Sequence, residues 1–139
     1  TQVDILPSLF IHDDAKADLK ELFESNVDQE DAATITVILQ EIGADTDLID
    51  RLTQHGYGQK EESDFHVSKF LELWDKGLDI WRLKIWDVAD FRILYGYYPI
   101  YEHYYVLAIV PREFKYDPDH PITKRAIAAF EQLKNDVYS

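Results

Sequence analysis

The stretch WRLKIWDVADFRILYGYYPIYEHYYVLAIV, residues 81–110, decides the fold. Trp81, Leu83 and Ile85 alternate with Arg82, Lys84 and Trp86, the period of two that puts successive side chains on opposite faces of a strand. Asp87-Val88-Ala89-Asp90 reads as a turn, Phe91 to Tyr97 as a second alternating segment, and Tyr104 to Val110 as a third after Pro99 to His103. Connections this short predict an antiparallel meander. Outward from it the pattern is helical. Downstream, Asp119-His120-Pro121 supplies a cap and an N1 proline for a helix with Ile122, Ala126, Ile127, Phe130 and Leu133 inward. Upstream, Val3, Ile5 and Leu9 to Ile11 form a short β-capable segment, and a helix from about residue 14 carries Leu19, Leu22 and Phe23 on one face. Asn26 stops that helix. Asp28 caps a second, whose buried stripe is Ile35, Ile38, Leu39 and Ile42 and whose end is Gly43. A third, shorter helix spans Thr46 to His55 and closes at Gly56, and GYGQKEESD, residues 56–64, reads as an exposed loop and mobile joint. The expected order is β, α, α, α, β, β, β, α, a single α+β domain over residues 1–139.

Composition narrows the function. The 139 residues hold 27 Asp and Glu against 14 Lys and Arg, a net charge of −13, which by itself argues against binding a polyanion. The average hides an asymmetry. Residues 1–77 hold 18 acidic and 6 basic side chains, residues 78–139 hold 9 and 8, so nearly all the negative charge lies in the first half. No apolar run approaches the roughly 20 residues of a membrane-spanning helix, and TQVDILPSLF lacks the features of a secretory signal. A cytoplasmic protein without membrane association is expected. With no cysteine, disulfides, thiolate nucleophiles and Cys-containing zinc sites are excluded. His12, His55, His66, His103 and His120 are scattered, with none at metal-ligand spacing, and those beside aspartates read as helix caps. No metal or other cofactor is implied. Phosphate-cradling and nucleophile-elbow glycine motifs are absent too.

The cations of the second half carry the chemistry. Arg82, Lys84, Arg92, Arg112 and Lys115 lie on or just beyond the three strands, five of the eight basic residues there. Arg82 and Lys84, two apart, must share a sheet face, and an antiparallel neighbour can bring Arg92 beside them. Clustered like charges destabilise a fold unless an anion or carboxylates lie between them, so the set is either an anion site or is quenched by Asp87, Asp90, Glu113 or the acidic helices. The same region is dense in aromatics, from Trp81 to Tyr116, most of them fit for a half-buried sheet and the rest for stacking on bases.

The segments VSKFLELWDKG, LDIWRLKIW, DFRILYGYY, YVLAIVPREFKY and HPITKRAIAAFEQL, in that order, resemble the RelE/HigB/ParE superfamily of toxins from type II toxin–antitoxin pairs. The resemblance covers residues 65–133; the earlier strand and helices fit it in topology only, and residues 46–64 read as a helical, acidic insertion. It implies a small antiparallel sheet packed against N-terminal helices and a C-terminal helix. It also implies a metal-independent endoribonuclease acting on messenger RNA at the ribosome, neutralised by a cognate antitoxin. By position, Arg82, Lys84, Arg92 and Arg112 match the family's basic catalytic residues. Lys84 with Arg82 would ease deprotonation of the 2′-hydroxyl, and Arg92 with Arg112 would stabilise the phosphorane. Lys115 and Tyr116 would contact RNA, Tyr116 standing four residues past Arg112 where RelE has its tyrosine at six. The acidic charge and this shifted tyrosine keep a second reading open: a ParE-type gyrase inhibitor, or a RelE-fold interaction protein without catalysis.

Overall fold

The computed structural model describes residues 6–138. Strand β1 (Ser8–Ile11) is followed by helices α1 (Asp13–Glu24), α2 (Gln29–Gly43) and α3 (Thr46–Asp50), the last running into a 3-10 turn at Arg51–Thr53. Then come β2 (Phe65–Lys69), the one-turn helix α4 (Leu71–Trp74), β3 (Ile80–Ile85), β4 (Phe91–Tyr98), β5 (His103–Pro111), a second 3-10 turn at Arg112–Phe114, and α5 (Pro121–Asp136). The five strands form one sheet in the order β1-β5-β4-β3-β2, antiparallel except that β1 lies parallel to β5. The α+β class, the meander and the closing helix are as expected. Strand β2 was not: its alternation of Phe65 and Val67 with His66 and Ser68 spans too few residues to stand out. The expected residues Val3 and Ile5 of the first strand lie outside the described residues.

Alternation along the strands builds two cores. On one face Trp81, Leu83, Ile85, Ile93, Tyr95 and Val106 pack against Ala15 and Leu19 of α1 and Ile35, Leu39 and Ile42 of α2. Phe23 does not join them, being 42% exposed; the inward stripe of α1 runs through Ala15, Leu19 and Leu22 instead. On the other face Ile80, Leu94, Leu107, Ala108 and Val110 receive Ala126, Ala129 and Phe130 of α5. Gly96 admits that helix, because a Cβ there would stand 2.6 Å from Phe130 Cδ2. A bulge sharpens the arrangement: Leu94 opposes Ala108 but Tyr95 opposes Val106, so the extra residue Leu107 joins the α5 face. Where β1 ends, the exposed edge of β5 is closed by a side chain. Asp18 of α1 accepts the Ile109 N–H at 3.0 Å and is gripped by Arg125 of α5 through two bonds of 3.0 and 2.6 Å.

Helices α1 and α5 are capped by imidazoles, while α3 is capped by the Asp45 carboxylate, which accepts the Asp47 N–H at 2.9 Å. His12 and His120 each accept a backbone N–H at Nδ1, from Asp14 at 3.0 Å and Ile122 at 3.1 Å, while Asp28 makes no side-chain cap bond. The segment expected to be a mobile joint is in part tied down. Gly56 N–H donates to Val67 O at 2.8 Å, Val67 N–H to Tyr57 O at 2.9 Å and Lys69 N–H to His55 Nδ1 at 2.9 Å, so residues 55–57 cover the open edge of β2. No helix among the described residues is long and apolar enough to cross a membrane.

Candidate functional site

Arg82 and Lys84 project from β3 on the face that α5 covers only in part. Across the ladder Arg82 pairs with Ser68 and Lys84 with His66 of β2, which therefore share that face. Arg82 is fixed twice, its Nε–H donating to Ser68 Oγ at 2.9 Å and its guanidinium lying 4.3 Å from the centre of the Tyr116 ring. Lys84 Nζ lies 4.5 Å from the centre of the Trp86 ring, whose indole N–H donates to Gly58 O at 3.0 Å. His66 stacks on the same indole at a ring distance of 6.0 Å.

Tyr116 organises the other side of the site. Its ring is held edge-on by Phe70 and Phe114, each at 5.6 Å, and its backbone is left-handed at φ 55°, next to Lys115 at φ 51°. Two successive non-glycine residues in that region cost on the order of 1–3 kcal/mol each, and such strain is concentrated at functional sites. Arg92 on β4 reaches the same tyrosine. Its Nη1 donates to Ala89 O and Phe91 O, both at 2.9 Å, and its charge acts on the phenol. Burial raises the Tyr116 pKa, with Arg82 and Arg92 pulling the other way, so the hydroxyl stays protonated at neutral pH.

Thus Arg82, Lys84, Arg92 and Tyr116 fall on one face. Arg112 lies just beyond the strands. It opens the 3-10 turn after β5 with an exposed side chain, and its backbone N–H donates to Asp90 O at 2.8 Å. Lys115, also exposed, lies three residues further on. Among the described residues the ion pairs involve Arg125, Lys16 and His12, and none involves Arg82, Lys84, Arg92, Arg112 or Lys115. The aspartates that could have quenched the cluster do not.

Two neighbours escaped the sequence reading. Ser68 and His66 belong to the strand it missed, and the signal that would have found them is the Phe65/Val67 alternation itself. The His66 pKa is lowered, first by burial and then by Lys84, Arg82 and His55, against a smaller opposing pull from Glu62, so the imidazole is neutral at pH 7. The site is an open surface. Clefts of about 250 and 220 Å³ flank Asp79 near Tyr98 and Trp74, and one of about 380 Å³ lies between β1 and α2, none lined by these cations. Among the described residues no group of His, Asp and Glu is placed to hold a metal ion. Chemically, three cations, a neutral imidazole and a phenol on one open face can bind a phosphodiester and stabilise added negative charge on it. Comparisons with protein-family models, curated proteins and solved structures found no match to this chain.

Proposed function

We propose that this chain is the toxin of a type II toxin–antitoxin pair, a metal-independent endoribonuclease that cuts messenger RNA at the ribosome in the cytoplasm and is held inactive by a cognate antitoxin. The observation that carries the reading is the gathering of Arg82, Lys84 and Arg92 on one open face without a paired carboxylate. At about 4 Å two like charges repel by roughly 1 kcal/mol in water and several times that near a protein surface, so such a group is relieved by an anion. In the proposed reaction the 2′-oxygen attacks the adjacent phosphorus, the bond to the 5′-oxygen breaks and a cyclic phosphate forms. Lys84 and Arg82 stabilise the developing 2′-oxyanion, Arg92 and Arg112 the phosphorane, and Lys115 and Tyr116 bear on the RNA beside it.

Inducing the protein without its partner and mapping 5′ ends of cellular transcripts tests the proposal. Growth arrest and new 5′ ends are expected, both lost in Lys84→Ala and Arg92→Ala, each lowering cleavage about 10²-fold or more. Unchanged growth with no new ends, in cells holding soluble protein, refutes it. The gyrase-inhibitor reading draws on the acidic charge of −13 and predicts DNA breaks with transcripts intact.

A further inference from the structure

We infer that His66 is the proton acceptor of this site, taking the proton from the 2′-hydroxyl of a ribonucleotide bound over Lys84 and Arg82. The inference rests on the nuclease reading above and adds a residue to it.

Arginine cannot serve as a base at neutral pH, and a lysine ammonium has no lone pair until it loses its own proton. A cluster of cations alone stabilises charge but leaves the 2′-proton without a destination. Among the side chains assembled on this face, His66 is the one that is neutral and basic near pH 7. Its place is set by the ladder. It lies directly across from Lys84, one pleat from the Ser68–Arg82 pair, with its ring parallel to Trp86 within 10°. The edge of β2 that bears it is fixed from outside by Gly56, Tyr57 and His55, so the imidazole stands on a braced strand.

The groups facing His66 also explain why it stays ready to accept. Lys84 and Arg82 of β3 and His55 of the covering segment disfavour an imidazolium, and Glu62 of the loop favours one more weakly. The proton count closes. The 2′-O–H bond breaks with its proton passing to an imidazole nitrogen, the 2′-oxygen bonds to phosphorus, and the P–O5′ bond breaks. The departing 5′-oxygen takes a proton from water, and the hydroxide left behind returns His66 to neutral.

The test uses the full chain with programmed ribosomes and with free RNA, under single-turnover conditions. His66→Phe keeps a ring on Trp86 but cannot take a proton. It should cut about 10²- to 10⁴-fold more slowly while binding an RNA with a 2′-deoxy residue at the cleavage position as the parent does. The parent's rate should rise with pH through a midpoint below that of an ordinary histidine, and His66→Phe should lose that limb. In His66→Ala, added imidazole should restore part of the rate. A parent that cleaves, with His66→Phe within threefold of it and the same pH profile, overturns the assignment of His66 and leaves the nuclease standing. A parent that cuts neither substrate overturns both.

Discussion

At the start of β3, the half-buried carboxylate of Asp79 accepts the Trp81 indole N–H at 2.7 Å. Burial raises its pKa, against the Trp81 hydrogen bond and the charge of Lys69. The native carboxyl therefore binds its proton more tightly than the unfolded one. Its contribution to stability is complete below the unfolded value and disappears as pH rises through the folded one. Asparagine keeps the acceptor and sheds the buried charge, so Asp79→Asn should melt no lower than the parent at pH 7, any advantage shrinking as the pH falls toward 4. Thermal melts across that range check it, and a variant less stable at pH 7 than at pH 4, relative to the parent, contradicts it. The cations of the site were legible at this scale wherever a strand carried them. Alternation through Arg82 and Lys84 fixed their shared face, and antiparallel pairing fixed that of Arg92. Arg112 was not legible in the same way, because β5 ends at Pro111 and a side chain in a 3-10 turn no longer follows the pleat. Nor was the grip of Arg125 on Asp18, since 107 residues separate them and no local pattern links the two.

Strand β2 and its cover make the clearest case among the elements. The segment around Gly56 to Asp64 has no periodicity and therefore reads as loop, yet part of it serves as the edge of the sheet by hydrogen bonds that leave no mark in side-chain pattern. Gly58 is the tightest point. It has φ +77°, a Cβ on it would fall 1.8 Å from Phe65 O, and its own carbonyl holds the Trp86 indole. Gly58→Ala must push this segment off β2, which should cost roughly 1–3 kcal/mol by urea unfolding. On the proposed nuclease function, the same change should also weaken RNA cleavage by releasing Trp86 and the His66–Lys84 pair behind it. Unchanged unfolding would mean that the segment is free to shift and braces nothing. The helices were easier to read because their stripes repeat over three or more turns. The parallel placement of β1 beside β5 was harder, as nothing in four residues, Ser8–Ile11, specifies a partner.

Across the whole molecule, α1 and α2 present Glu21, Glu24, Glu30 and Glu41 to solvent, and Asp31 has its pKa raised by burial and then by Asp90, Asp28 and Glu30. The cationic site occupies the opposite face of the sheet. Acids thus crowd the helical face more than the cationic one, where Glu62 acts on His66. At about 0.01 M salt the screening length is roughly 30 Å, and an approaching polyanion feels the full excess of negative charge. At about 0.15 M it is roughly 8 Å, which mutes the distant acids while the nearby guanidiniums still act. If the chain binds RNA as proposed, affinity for an uncleavable RNA, followed by fluorescence anisotropy, should therefore climb before it falls as salt is added. A plain polyelectrolyte binder only weakens, and a steady decline here would show that the acidic helices do not oppose RNA. The rising limb, if it is seen, turns ionic strength into an orienting filter: partners that arrive at the wrong hemisphere are turned away before contact.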